Sequence, residues 1–407
     1  MKLNLDNIII VGGGTSGWLT ALYLNEILKD SQITLIESNE IGILGAGEGT
    51  TGNIINFLNE LRITEEELVK NCDATFKDGI NFTNWTDDDT SFFHPINFIK
   101  YPNSKNYSYH FNARLFASYL KKVAIDRGII WKEGVVTEPL VNDNNEIIGL
   151  KTNDTVIECD FVFDCSGFRR LLIGNHYKSK WNSYEKYLKL NSAIPFFLEN
   201  NQTDIHTQTE SIAMKNGWMW QIPLQSRKGC GYIFDINEIS EDEAKQEVNE
   251  YLGHLVEFNK LIKFEPGSYE TVWIKNCIAV GLSGGFLEPL EATSIMSQII
   301  QLKSFNEVIN GNTTIEKYND LINQVNIENM VFIYYHYFGN KSNSSFWNKI
   351  KTTTENIPYP LNLILDKNNN IKPKDDLNNI WEQLTVFTMD SWNTINNGLK
   401  NKKNNLI

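Results

Sequence analysis

Several features are scarce in this chain of 407 residues. It has five cysteines, Cys72, Cys159, Cys165, Cys230 and Cys277, an odd and scattered set with no C-x-x-C. That excludes a disulfide framework and a cysteine-built zinc site, and no metal is expected. No run approaches the roughly 20 apolar residues that cross a bilayer. The opening MKLNLDNIIIVGGG holds an apolar run too short for a signal sequence, and it reads as a buried strand. Basic residues are outnumbered, 37 Lys and Arg against 50 Asp and Glu, giving a net charge of −13. Such a surface disfavours nucleic acid and anionic membrane as partners. These absences together predict a reduced, cytoplasmic protein. Solenoid-period repeats and long linkers are missing too. The remainder is ordinary globular composition, 41% hydrophobic and 21% charged, on a chain long enough for two or three modules. The Asn-rich end, NNGLKNKKNNLI, is predicted to fray.

What is present begins with glycine. Residues 7–11, NIIIV, are followed by GGGTSGWLTALYLNEIL and then by QITLIE at 32–37. The periodicity changes from strand to helix at the glycines, so this is a βαβ unit. Gly12-x-Gly14-x-x-Gly17 allows a tight turn and close approach of backbone to a pyrophosphate, with Thr15 and Ser16 opening the helix. Glu37, at the end of the second strand, is placed to accept a ribose hydroxyl. Two later strands also end in small-residue turns: DFVFDCSGF at 160–168, with Asp164, and IAVGLSGGF at 278–286, with Gly281 and Gly285. The loop GAGEGTTGN at 45–53 contributes Ala46, Gly47 and Glu48 as a strap over a cofactor. Repeated late glycine turns suit the long FAD better than NAD.

The rest of the chain reads as a capping-box helix start at Thr64 and Glu67, a strand pair near 75–85 and a helix over 111–128. A hairpin is predicted at about 145–164, turning at Asn153-Asp154. Several strands follow over 187–235, then a helix over about 240–259 from Ser240, and mainly helix after about 289. Within the strands lies GWMWQIPL, 217–224. Alternation puts Trp218 and Trp220 on one face, and Pro223 ends the strand or marks an edge.

GGGTSGW, GWMWQIP and GFLEPLEATSI (285–295) together resemble the flavin-dependent tryptophan halogenase family. TFKDGINFTNW, YHFNARLFASYL, DCSGFRRLLI and FGNKSNSSFW agree with it, and the resemblance covers roughly residues 5–350. It implies an α/β, FAD-binding, glutathione-reductase-like fold with an inserted, mainly antiparallel sheet. The FAD module would span 1–300, with the insertion at about 187–275 and a helical region at 301–407 completing the substrate pocket. Reduced FAD, supplied by a separate and transient flavin reductase, would react with O2 and chloride, bromide or iodide to give a hypohalous acid. Absence of a second nucleotide fold for NAD(P)H supports that external reductase. Lys77, in TFKDG, matches the lysine that relays this oxidant to an electron-rich aromatic substrate. Glu291 matches the catalytic glutamate, and the halide would lie at the N–H groups of Thr293 and Ser294. His94 matches a histidine of the substrate pocket. Trp218 and Trp220 would form a substrate-side wall that keeps organic molecules from the flavin.

The chain departs from the family pattern in places. It is short, and nothing after about 350 matches the region that grips the amino-acid part of tryptophan. Ile96 stands where an aromatic residue often follows His-Pro, Gly52 where proline is common, and the helix start reads LEATS rather than LESTG. A smaller C-terminal lid predicts a more open pocket for bulky or varied substrates. Two other functions fit the fold: a flavin monooxygenase that hydroxylates, and a noncatalytic flavin-binding protein. Retention of Lys77 and Glu291 with the double tryptophan favours the halogenase. A homo-oligomer is compatible with the sequence.

Overall fold

A computed structural model describes residues 3–41, 48–88, 90–96, 106–153, 155–200, 206–339, 341–352, 358–366, 371–372 and 386–400. Apolar runs without alternation build a parallel sheet buried on both faces. Its strand order is Trp273–Ile274, Cys277–Ala279, Phe161–Asp164, Asn7–Val11, Gln32–Glu37 and Ile130–Glu133. Only the outermost pair, Trp273–Ile274 with Cys277–Ala279, is antiparallel. The helix Thr15–Ile27 follows the first strand, as the glycine switch predicts, and packs against the helices Ala113–Asp126 and Thr293–Ile309.

A second sheet has seven strands, in the order Ile262–Lys263, Ser192–Glu199, Arg227–Phe234, Gly217–Pro223, Gln208–Ala213, Gly79–Thr83 and Ser91–Pro95. The double-tryptophan strand is central and ends at Pro223, where a missing donor costs least. Its two faces belong to different cores. Trp218, Trp220 and Ile222 join the main core, whereas Met219 packs with Tyr232 and Phe234 under the helix Glu241–Leu252. The sheet expected as an insertion at about 187–275 thus also takes in the strands Gly79–Thr83 and Ser91–Pro95. One hydrophobic core joins residues from both sides of 300.

Three local expectations change. The strands near 75–85 are consecutive but not paired with each other. Thr75–Lys77 pairs with Ser108–Phe111, and Gly79–Thr83 pairs with Gln208–Ala213 and Ser91–Pro95. Asp78 is the switch point: its N–H donates to Thr207 O at 2.7 Å, and its carbonyl accepts from Ile96 N at 2.9 Å. The hairpin is shorter, Ile147–Thr152 with Val156–Glu158, because Phe161–Asp164 leaves for the parallel sheet. The helix starts at Ser240 as read, with a capping box to Glu243 that the sequence reading did not name, but stops at Leu252, where Gly253 turns left-handed at φ 74°. The Thr64 and Glu67 capping box forms as read. All five cysteines are free and buried, and among the described residues no helix is long and apolar enough to cross a membrane.

Close packing of the tryptophans sets a test. A Cβ at Gly231 would lie 2.1 Å from Trp220 Cζ2, so the indole fills the space a side chain would need. Gly231→Ala is expected to destabilise the fold by roughly 1–3 kcal/mol through overpacking. Denaturant unfolding measures this, and an unchanged midpoint would show that the indole does not lock the sheet there.

Candidate active site

The small sheet Glu48–Gly49, Ser108–Phe111, Thr75–Lys77 builds the first part of the site. Its register sets Lys77 opposite Ser108, Thr75 opposite His110 and His110 opposite Gly49. Alternation turns Thr75 and Lys77 inward and Phe76 outward. Lys77 is only 1% exposed. Its ammonium donates to Thr50 O at 3.0 Å, its one hydrogen-bond partner among the described residues. Burial drives its pKa down to about 8, while the nearby negative charge of Glu291 pulls the other way. Such burial excludes a solvated lysine on the strand surface.

His110 lies beside it. The Thr75 hydroxyl donates to Pro223 O at 2.6 Å, so it can only accept from His110 Nδ1 at 3.3 Å. His110 Nε2 then accepts from the Thr209 hydroxyl at 2.8 Å. In the neutral imidazole this places its one proton on Nδ1. Burial, and next the charge of Lys77, holds His110 well below its ordinary pKa. Neither His110 nor Thr50 was singled out from sequence, although they lie in YHFNARLFASYL and GAGEGTTGN.

The second part centres on Glu291. Glu291 and Ala292 both have left-handed φ, 66° and 54°, immediately before the helix Thr293–Ile309. Such a conformation is costly for residues with side chains and is found where a site demands it. It turns the carboxylate inward, where both oxygens lie 3.0 Å from His94 Nδ1. His336 Nε2 is 2.9 Å from Oε1. His336 Nδ1 donates to Phe332 O at 2.8 Å, so a proton must also lie between Nε2 and the carboxylate. Burial alone would raise the Glu291 pKa. His94 and His336 overcome it and hold the carboxyl well below its usual range, so Glu291 is ionised. His94 Nε2 is engaged by Ser391 Oγ at 2.7 Å. His336 escaped the sequence reading because a lone histidine at the end of an apolar helix carries no motif.

The glycine turns build a third part. Gly12 has φ 117°, and a Cβ there would lie 2.3 Å from Cys165 O; one at Gly17 would lie 1.8 Å from Gly12 O. Above Gly14, by contrast, nothing among the described residues lies within 4 Å of a Cβ position, and none of their side chains caps the helix that starts at Thr15. The open helix N-terminus thus fits a pyrophosphate. Ser16 Oγ donates to Val280 O at 3.2 Å, and Gly281, at φ 72°, packs on Ser16. Two glycine turns far apart in sequence therefore meet. Gln298 Nε2 donates to Ser16 O at 2.9 Å, tying the Thr293–Ile309 helix to the same point. That helix also has no side-chain cap, which leaves the Thr293 and Ser294 end open for an anion.

Other expected cofactor residues divide. Glu37 lies against Gly13 and is paired with Lys121, whose ammonium sits 3.8 Å from the Trp131 ring centre. The Asp164 carboxylate is engaged by its own chain: Oδ1 accepts from Ser166 Oγ at 2.6 Å and Oδ2 from Leu172 N at 2.7 Å. It holds the turn in shape. At Gly285 a Cβ would lie 2.8 Å from Ser268 Cβ, so close strand packing accounts for that glycine. Ala46 and Gly47 lie outside the described residues. The Glu48 backbone pairs with Phe111.

The sequence profile of the family described as tryptophan halogenase matches residues 7–103 and 98–405. The chain belongs to the tryptophan halogenase family. The match runs well past residue 350, where the sequence reading found none. The chain is 30% identical over 423 residues to tryptophan 7-halogenase RebH of Lentzea aerocolonigenes, covering 85% of this chain and 79% of the relative. Its fold matches the tryptophan 6-halogenase SttH of Streptomyces toxytricini with a TM-score of 0.85 at 26% identity, over 98% and 91% of the two chains. Xcc4156, a flavin-dependent halogenase from Xanthomonas campestris, matches with a TM-score of 0.82 at 27% identity, over 97% and 89%.

In this halogenase Trp218 and Trp220 share a face as read, with ring centres 6.2 Å apart, and both are buried. Trp218 also lies 6.4 Å from Trp85, which reaches His336 at 6.2 Å. The indole wall therefore connects to the Glu291 cluster through one aromatic ring. Beside Trp218 sits Glu288, fully buried, accepting from Tyr337 Oη at 2.7 Å. Burial pushes its pKa up to about 8, so it is mostly neutral at pH 7. Among the described residues the C-terminal side packs closely on the cluster. Phe387 stacks on Phe332 at 3.8 Å, Trp392 meets Phe332 at 4.8 Å, and Ser391 holds His94. This short tail covers the cluster because its helix Met389–Leu399 packs directly on the His94 strand.

The buried ammonium has a linkage consequence. Lys77 binds its proton less tightly folded than unfolded, so stability is penalised in full below pH 8 and recovers as pH rises from about 8 toward 10.5. Lys77→Met should remove this dependence. At pH 7 it should gain stability by up to about 3 kcal/mol, less the lost bond to Thr50, and the gain should shrink by pH 10. Denaturant titrations of both proteins at the two pH values check this. An equal difference at both would mean that Lys77 is not desolvated.

Proposed function

We propose that this enzyme passes a hypohalous acid to an electron-rich aromatic substrate through Lys77, with Glu291 supporting the substitution. The observation that carries the reading is the buried Lys77 ammonium, which spends one N–H on a backbone carbonyl and has no carboxylate in ion-pair contact among the described residues. A dry, compact donor with spare N–H groups suits an oxidant that must be held and oriented. FAD would be held by Gly12, Gly14, Thr15, Ser16 and Gly17 at the pyrophosphate and by Glu37 at the ribose, with the Gly281 turn alongside. Bound in reduced form, it supplies the oxidation of halide by O2 to hypohalous acid. A separate flavin reductase would provide that reduced form. Thr293 and Ser294 offer backbone N–H groups to the halide.

The chain's own residues do the rest. Lys77 donates to the oxidant and fixes its direction. Glu291, kept ionised by His94 and His336, stabilises positive charge on the ring and is the acceptor for the departing proton. Phe332, Phe387 and Trp392 wall the aromatic side and help set the substrate, a tryptophan-like indole being the class its relatives' names indicate. Trp218 and Trp220 fill the route by which an organic molecule would reach the flavin, so the small halide is oxidised instead. Specificity by exclusion separates this enzyme from a hydroxylase of the same fold.

The test is reconstitution with flavin reductase, NADH, FAD, O2, halide and an aromatic panel. Lys77→Ala is expected to lose arene halogenation by about a hundredfold or more while a soluble trap still records hypohalous acid. Glu291→Gln should lose roughly ten- to a hundredfold in the same assay. Normal arene halogenation by Lys77→Ala would end the relay role. Hydroxylated product independent of halide would identify a monooxygenase.

A further inference from the structure

The two histidines that flank Glu291 do not hold the same number of protons. An ionised carboxylate only accepts, so the proton between it and His94 belongs to Nδ1, 3.0 Å from both oxygens. His336 donates from both nitrogens, to Phe332 O and to Glu291 Oε1, and is therefore the charged one. His94 differs at its far side, where Nε2 lies 2.7 Å from Ser391 Oγ. Ser391 is only 2% exposed, and its hydroxyl has no other partner among the described residues. A buried hydroxyl with one partner gives its proton to that partner, since withholding it would leave the O–H unsatisfied. Nε2 therefore accepts, and His94 is neutral with its single proton on Nδ1.

We propose that Ser391 is a positioning residue for this reaction: its hydroxyl fixes His94 in the neutral Nδ1–H form and so keeps Glu291 a good proton acceptor. The inference rests on the reading of Glu291 above. With His94 neutral, the carboxylate faces one imidazolium and one neutral donor. A second imidazolium at the same distance would hold its lone pairs more tightly, and the arene proton would meet a weaker base. Lys77 is the other charge acting on Glu291, and Asp390, next to Ser391, is exposed. The serine is itself held from several sides. Thr388 Oγ1 accepts from Ser391 N at 3.3 Å and caps its helix, Met389–Leu399. Val386 N donates to Glu328 Oε2 at 2.8 Å, and Tyr335 Oη donates to Asn396 Oδ1 at 2.7 Å. Glu328 and Tyr335 both belong to the helix Ile315–Tyr335, whose end leads into His336. One helix thus presents the charged imidazole and seats the hydroxyl that keeps the other one neutral.

The experiment isotope-labels the nitrogens of the six histidines in the full chain and reads the protonation of each ring by NMR at about pH 7. His94 is assigned by the signals that vanish in His94→Gln. It is expected to carry one proton, on Nδ1, whereas His336 carries two. Ser391→Ala should lose the enforced Nδ1–H form. In the reconstituted assay it should lower kcat for arene halogenation about tenfold, the size of effect that one hydrogen bond has on a rate. KM should change far less, and FAD binding and trapped hypohalous acid should not change. Ser391→Thr keeps a hydroxyl, and in it the proton position and the rate should be kept or lost together. His94 protonated on both nitrogens, or on Nε2 alone, in the unaltered enzyme overturns the proposal. So does a normal rate in Ser391→Ala, or any variant in which the Nδ1–H form and the rate part company. The unaltered enzyme decides the matter if Ser391→Ala fails to fold. Glu291→Gln in parallel keeps the parent reading separate: normal arene halogenation there ends the role of Glu291, whatever the state of His94.

Discussion

A positive charge sealed from water constrains the rest of this structure. Lys77 can remain inside only because Thr50 offers it a carbonyl and Glu291 lends a nearby negative charge. Nothing cancels that charge at ion-pair distance among the described residues, so it stays available and its proton is loosened. His110, the other basic group beside it, is kept neutral by burial and by the charge of Lys77, and two threonine hydroxyls hold its ring in place. The chain's switch between sheets at Asp78 makes this possible. Lys77 ends one sheet and Gly79 begins another, so the ammonium sits at their seam rather than on either open face.

Glu291 answers Lys77 with a complementary device. Two consecutive left-handed residues aim a carboxylate at two imidazoles, one from a sheet edge and one from a helix end. The same backbone leaves the following helix uncapped for an anion. That helix is tied through Gln298 to Ser16 in the first glycine turn. The places where halide, cofactor and substrate would act are thus fastened to one another by single hydrogen bonds. Trp85 carries packing contact from the double-tryptophan strand to His336, so that strand and the carboxylate cluster are packed through one ring.

Much of this was legible beforehand, for definite reasons. The glycine turn at 12–17 shows in sequence because its geometry tolerates few other residues. The shared face of Trp218 and Trp220 follows from the period of a strand. Lys77 and Glu291 stood in motifs that resemble a known family. His336 did not, and Thr50 and His110 lay in quoted stretches without being singled out, because their part in the site comes from contacts with residues distant in the chain. Asp164 and Gly285 were read as cofactor residues on the strength of small-residue turns. In the fold, one caps its own turn and the other lets two strands approach.

The sequence by itself determined the local order of strands and helices, the net negative surface, the reduced cysteines and the kind of chemistry its motifs carry. Those properties depend on neighbours in the chain, on residue periodicity and on composition, all of which are written linearly. Only the tertiary structure decided that Lys77 is dry, that Glu291 is held by two histidines, and that the short C-terminal helix covers the cluster. Burial and charge depend on which distant segments meet, and a pKa follows from that meeting rather than from the residue's own place in the chain.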